Sequence, residues 1–416
     1  MSESSLNLPV IWKWGKRVGY SVLDQGLFSG ANFLLSILFA RWLSPEEFGA
    51  YAVGFSAFLI CFGIYNSLVL DPLMVLGSAE SQTTSNEYIK KMFLVQAGTV
   101  LIFFLLLTTI AVVAHGFYKT AFFGMAAFVP LVLNIWFLRS VFYVTHNSGK
   151  AIIVSSFYAV VLQGGIIVLG TSHRLNLETT LLWQSISCLM AVILGLAISS
   201  IIKSKYFFKA IEWHEFWKVT WTYSKWILIA TVADGIAYMT FPPLIAATVG
   251  VNEAGAFKGI QNLVNPIQQY LVAVSMLILP MLIQRKVKHD FKETRKVLII
   301  VTLLPTILYA AILALFSKQI IAFLYNNPFY NPFIWMVPYF SLFIILLWGR
   351  YITTILLRIE RTSKALFIGK IGALLIFLIS LIPIWIVIKM ELIITSMIMV
   401  SLVEFFILLK QQKKAS

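Results

Sequence analysis

Long runs of apolar positions, broken by short polar clusters, set the pattern of this chain. The runs lie near 18–40, 48–70, 92–114, 119–144, 151–171, 179–202, 226–249, 255–283, 297–317, 333–357, 365–388 and 391–409. A helix needs about 20 such residues to cross the hydrocarbon core of a bilayer. The pattern therefore predicts about twelve transmembrane helices, the last of them interrupted by Glu404. The longest polar connection, residues 203–225, mixes lysines with Tyr206, Phe207, Phe208, Trp213, Phe216, Trp217 and Trp221. That mixture reads as an amphipathic helix at headgroup level; a partner-binding helix is the other reading.

A repeat divides the runs into two sets. After the first run the chain reads Glu47, Gly49 and Ala50; after the seventh it reads Glu253, Gly255 and Ala256, a constant offset of 206. Glu87 and Lys90 match Glu293 and Lys296 at the same offset, and Pro72 and Pro280 close the second run of each set. Six helices per copy give both copies one orientation, related by an axis along the membrane normal. Transporters built from parallel repeats place substrate between the halves and rock about it. The expected fold is an all-α polytopic membrane protein with two pseudo-symmetric six-helix bundles, 1–202 and 226–416, joined by the amphipathic linker 203–225.

Composition agrees. Of 416 residues, 60% are hydrophobic and only 12% charged, and the mean hydropathy is +0.88, against roughly a quarter charged in soluble domains. The net charge of +15 would fit a nucleic-acid binder, but its placement excludes one. Lys and Arg gather in alternate connections, as the positive-inside rule requires. One side takes Lys13, Lys16, Arg17, Lys90, Lys91, Lys150, the lysines of 203–225, Arg285 to Lys296, Arg358 to Lys370 and the C-terminal lysines. The other takes only Arg41, Lys119, Arg174, Lys258, Lys318 and Lys389. Both termini are thus expected on the cytoplasmic side of a cell membrane. The first run is expected to be an uncleaved span, being too long and too polar (Asp24, Gln25, Asn32) for a signal peptide.

Few groups offer chemistry. Cys61 and Cys188 stand alone in apolar runs as small apolar residues, and the five histidines lack metal-ligand spacing. Gly149-Lys150 and Gly369-Lys370 lack the remainder of a Walker-A loop, so ATP hydrolysis in this chain is excluded. The expectation is a transporter rather than an enzyme, with no cofactor and no metal, driven by an ion gradient or by its substrate's own gradient.

Ionisable residues within spans are costly and mark pathways or partners. Asp24 and Asp234 lie in the first span of each half; Arg139 and Arg350 lie in the fourth. The functional reading is a cytoplasm-facing cavity where guanidinium groups bind an anionic headgroup, while the carboxylates hold the arginines when it is empty or carry a coupling cation. The plain reading is structural salt bridges or arginines snorkelling to the interface. Pro242-Pro243 interrupts span 7 and is read as a hinge, because each proline removes a helical hydrogen bond. Gln261 and Gln268, with Gln269 and Asn262 nearby, are candidate hydrophilic lining for sugar hydroxyls; interhelical hydrogen bonding explains them equally. Gly26, Gly30 and Ala31 are read as a small face for close helix packing.

From Ala31 through Ala40-Arg41-Trp42-Leu43 to Pro45-Glu46-Glu47-Phe48-Gly49-Ala50-Tyr51 the chain resembles the polysaccharide transporters of the multidrug/oligosaccharidyl-lipid/polysaccharide exporter superfamily, the Wzx-type O-antigen and exopolysaccharide flippases. The close match covers about 50 residues. In this stretch Arg41, Pro45, Glu46 and Gly49 are expected to serve turn and packing. The resemblance implies translocation of undecaprenyl-pyrophosphate-linked oligosaccharide from the cytoplasmic to the periplasmic leaflet of a bacterial inner membrane, by alternating access. It also implies H+ or Na+ as coupling ion, and a polysaccharide polymerase with its chain-length machinery as partners. Two rivals stand beside it: a cation-coupled multidrug antiporter of the same superfamily, and a membrane-embedded polysaccharide polymerase.

Overall fold

The computed structural model describes residues 8–77, 82–199, 213–272, 274, 291–360 and 363–415. Every regular element among them is a helix. In chain order these are α1 (Leu8–Trp42), α2 (Pro45–Leu76), α3 (Gln82–Val113), α4 (Gly116–Val144), α5 (Ser148–Thr171), α6 (Leu177–Ile198), α7 (Trp213–Thr248), α8 (Val251–Asn262), α9 (Phe291–Leu315), α10 (Ser317–Tyr325), α11 (Met336–Ile359), α12 (Ser363–Ile386) and α13 (Met390–Ala415). Among the described residues, 11 helices are long and apolar enough to cross a membrane: all but α8 and α10. The eighth predicted run, 255–283, begins in α8, turns at Leu263 and Val264, resumes as helix over 265–272, and then enters residues outside the described set.

Local sequence accounts for the breaks. Ser44 caps α2: its backbone N–H and its hydroxyl donate to Glu47 Oε2 at 3.1 and 2.8 Å, and Glu47 N–H donates back to Ser44 Oγ at 3.3 Å. That is a capping box, with Pro45 at the first helical position, where its missing N–H is harmless. Within α2 a π-turn over Asn66–Leu70 precedes Pro72, and the Asp71 N–H donates to Asn66 O, five residues back. The widened turn accommodates a proline ring that would press on the preceding turn. In α7 the helix bends at Thr240 and restarts at Phe241, so Pro242 and Pro243 occupy its new first turn.

The stretch expected to be a separate linker is instead continuous with α7 from Trp213 onward; residues 203–212 lie outside the described set. Phe216, Thr220 and Ser224 form its buried face. Phe216 packs on Tyr88 at a ring distance of 5.2 Å, and the Tyr88 and Thr220 hydroxyls are 3.1 Å apart. Trp213, Trp217 and Trp221 form the opposite, exposed stripe.

The chain divides into two compact units. Unit 1 comprises Met1–Leu35, Tyr65–Ala114 and Phe122–Ser224; unit 2 comprises Ser36–Ile64, His115–Ala121 and Lys225–Ser416. Unit 1 centres on α4, whose Val129, Leu133 and Ile135 are fully buried. In unit 2 one apolar cluster joins Leu298 of α9 to Ile352, Ile355, Leu356 and Ile359 of α11.

The repeat acquires a physical meaning inside unit 2. A Cβ on Gly49 would meet Val251 O at 1.8 Å, and a Cβ on Gly255 would meet Pro45 O at 2.8 Å. Adding the 206-residue offset turns 49 into 255 and 45 into 251. The contact is therefore reciprocal, as a two-fold relation demands, and α2 and α8 approach so closely that only glycine fits at the first of these positions.

One packing expectation fails. Gly26 and Gly30 of α1 are exposed, and a Cβ on either would meet nothing within 4 Å. Of that small face, Ala31 alone is buried. Glycine spacing encodes only the ability to pack closely; a neighbouring helix must come to meet it.

Candidate functional site

Each unit buries its own ionic cluster. In unit 1, Asp24 of α1 and Arg139 of α4 are sealed, with side chains 0% and 1% exposed. Asp24 Oδ2 accepts from Arg139 Nε at 3.1 Å and Nη2 at 2.7 Å, and from the Tyr143 hydroxyl. Gln25 Oε1 accepts from the same Nη2 at 3.3 Å. The guanidinium lies 4.4 Å from the ring centroids of both Phe28 and Trp136. Aromatic faces on a cation supply part of what lost hydration removes and the charge-assisted bonds supply more, while Arg139 Nη1 and Asp24 Oδ1 stay buried without a hydrogen-bond partner. The helical positions explain the convergence: Asp24 and Phe28 are one turn apart on α1, and Trp136, Arg139 and Tyr143 share one face of α4.

In unit 2 the cluster has four charges. Arg350 of α11 meets Glu404 of α13 at 2.9 Å and Asp234 of α7 at 3.8 Å. Lys370 of α12 meets Asp234 at 2.6 Å and Glu404 at 2.9 Å. The Tyr238 hydroxyl donates to Glu404 Oε2 at 2.8 Å, and its ring lies 4.2 Å from the Arg350 guanidinium. Arg350 Nη1 donates to Ser401 Oγ at 3.2 Å. Two acids and two bases cancel. The cluster is closed at one end and open at the other: Glu404 is 1% exposed, Lys370 24% and Asp234 34%. Asp234 is the member whose displacement costs least desolvation, and its departure would leave Lys370 and Arg350 facing outward with one carboxylate between them.

The structure thus pairs the four expected charges by unit, Asp24 with Arg139 and Asp234 with Arg350. Neither arginine snorkels. Gln261 lies on α8, its Oε1 3.5 Å from Lys258 Nζ. Gln268 is exposed, and nothing joins it to the cluster. Pro242 and Pro243 follow the Thr240 bend, less than three turns beyond Asp234.

Three charged residues have a place that charge counting misses: Lys370, grouped with the cytoplasmic basic residues, is held between two acids, and Lys258, grouped with the external ones, is only 7% exposed. Glu404, which interrupts the last apolar run, is the innermost acid of the unit 2 cluster. An acid and a base in adjacent apolar runs carried the signal for Lys370 and Glu404. Among the described residues no group of three His, Cys, Asp or Glu side chains could hold a metal ion.

The family model described as "Polysaccharide biosynthesis protein" matches residues 14–286, and the chain belongs to that family. No curated protein sequence matches it. Among solved structures, an inward-facing multidrug resistance MATE family transporter of the MOP superfamily is similar, with a TM-score of 0.72 at 12% identity over 94% of this chain and 95% of that one. The lipid II flippase MurJ in an inward closed conformation gives 0.67 at 15% identity over 95% and 86%. A MOP superfamily transporter from Pyrococcus furiosus, described by the reverse polarity of its binding pocket and a different function, gives 0.66 at 12% identity over 96% and 95%. At such identities the likeness shows the fold. The chain thus joins membership of the polysaccharide biosynthesis family to a MOP-type fold with 11 helices long and apolar enough to cross a membrane among its described residues.

Proposed function

We propose that the chain flips a lipid-linked oligosaccharide with a pyrophosphate headgroup from the cytoplasmic to the periplasmic leaflet of a bacterial inner membrane, with both termini cytoplasmic. The observation that carries this reading is the half-open unit 2 cluster. Arg350 and Lys370 are paired cations whose partner Asp234 is accessible. An incoming pyrophosphate competes with that carboxylate for Lys370, and the guanidinium fork offers it bidentate donors. A coupling cation, H+ or Na+, neutralises the displaced Asp234. The sugars meet the amides of Gln261 and Gln268, the prenyl chain stays in lipid, and the bend before Pro242 and Pro243 serves as hinge.

The antiporter reading draws on the multidrug relatives. A cationic drug needs free carboxylates, and here both acids of the cluster are held by Lys370 and Arg350. The test is Arg350→Gln and Lys370→Gln in cells. Loss of export with lipid-linked precursor accumulating in the inner leaflet is expected. Full export from either variant removes that residue from the site, and drug hypersensitivity of a deletion strain with normal polysaccharide would favour the antiporter.

A further inference from the structure

Unit 2 holds a second buried cation that this exchange does not use. Lys258 of α8 is 7% exposed, and among the described residues it meets no carboxylate. Its Nζ lies 4.8 Å from the Phe55 ring centroid and 3.5 Å from Gln261 Oε1, at the outer limit of a hydrogen bond. One turn further, Asn262 is 1% exposed, and neither its Oδ1 nor its Nδ2 has a partner. Residues four apart share a helix face. That face carries an ammonium with three N–H groups and an amide with two more.

Buried polar groups are normally satisfied within the fold, and a buried charge is normally paired. Lys258, with one long hydrogen bond and no carboxylate, and Asn262, with neither amide atom bonded, leave ammonium and amide N–H groups without acceptors one turn apart. The repeat does not explain them: at the 206-residue offset the first half carries Ala52 and Ser56. An anion supplies what is missing, since its oxygens accept from ammonium and amide alike.

Depth gives the site its place. With cytoplasmic termini, α8 and α11 both begin at the periplasmic face. Lys258 is seven residues into α8, about 10 Å deep, while Arg350 is fourteen residues into α11, about 21 Å deep. We infer that Lys258 and Asn262 form a second, outer site for a phosphate or pyrophosphate group, which receives the anion after Arg350 and Lys370 release it. The inference rests on the flippase reading for its sequence of events. Unlike the inner site, this one has no carboxylate to reclaim the cation, and one point charge in place of a fork makes it the weaker of the two.

Calorimetric titration of the full-length protein in nanodiscs tests it, with inorganic pyrophosphate and farnesyl diphosphate as probes. The wild type binds both, and Arg350→Gln leaves a residual site weaker by about tenfold or more. Adding Lys258→Gln abolishes that residual binding, whereas Lys258→Arg keeps it. Asn262→Leu raises the melting temperature, because an unpaired buried amide is removed, yet weakens residual binding; this opposite movement is one that a purely structural asparagine would not give. If Arg350→Gln abolishes all binding, or if residual binding survives Lys258→Gln, the outer site is overturned and the flippase reading stands. A wild type that binds neither probe overturns both. Tighter binding of farnesyl diphosphate identifies a lipid headgroup as occupant, and equal binding identifies a free anion and overturns the lipid source.

Discussion

The two ionic clusters differ in what surrounds them more than in what composes them. Both use an aspartate from the first span of a half, an arginine from the fourth and a tyrosine hydroxyl donating to an acid, Asp24 in unit 1 and Glu404 in unit 2. In unit 1 aromatic rings close on the guanidinium and both charges are sealed. In unit 2 a further acid and base, Glu404 and Lys370, enlarge the cluster until its edge reaches the surface. Two added charges, Glu404 and Lys370, thus accompany the change from a closed pair to an open network. A sealed pair cannot exchange partners without paying the full desolvation of both ions, several kcal/mol each. An open network can, because water or a ligand replaces the outgoing carboxylate. On the proposed function, the unit 1 pair holds the fold and the unit 2 cluster holds the exchange.

The largest effect expected from breaking that contrast is at Arg139. Arg139→Ala leaves Asp24 buried and unpaired, which costs about 3–5 kcal/mol and appears as a large loss of thermal stability in detergent. Asp24→Leu combined with Arg139→Met removes both charges and recovers most of that loss. If the stable double variant still exports polysaccharide, the pair is structural; if it folds but does not transport, unit 1 shares the exchange.

An intermediate effect of opposite sign is expected at Asp234. Asp234→Asn removes a half-open carboxylate, so stability changes by only about 0–1 kcal/mol, while Lys370 and Arg350 lose a competitor. Pyrophosphate then binds more tightly and transport slows, because the anion is no longer expelled. Calorimetry and an export assay on this one variant separate affinity from turnover, and unchanged affinity would argue that Asp234 does not compete with the anion.

The smallest effects form a matched pair. Tyr143→Phe and Tyr238→Phe each delete one hydroxyl that donates to a buried acid, at about 1 kcal/mol apiece. Similar losses of melting temperature are expected from both, with transport altered only by Tyr238→Phe. Equal transport defects would erase the distinction between the clusters.

Much of this was legible along the chain. Run length gives the spans, because the bilayer's thickness acts on each segment separately. The same cost that makes intramembrane charges rare made Asp24, Arg139, Asp234 and Arg350 conspicuous in apolar surroundings. The 206-residue offset named Gly49 and Gly255 before their reciprocal contact could be seen. The turn expected around Arg41 and Pro45 joins α1 to α2, where Ser44 and Glu47 close a capping box. Signals of this kind are local, or repeat at fixed spacing, and so survive without knowledge of neighbours.

Partnership and enclosure were decided by tertiary structure. Asp24 and Arg139 are 115 residues apart, and Asp234 and Lys370 are 136 apart; hydropathy, summed along the chain, holds no information about which helices become neighbours. For the same reason charge counting groups Lys370 and Lys258 with the boundary charges, and glycine spacing marks Gly26 and Gly30 as packing contacts. A residue's type fixes what it costs to bury, and its sequence position fixes its depth. Whether it is paired, and whether water can reach the pair, depends on helices that arrive from elsewhere in the chain.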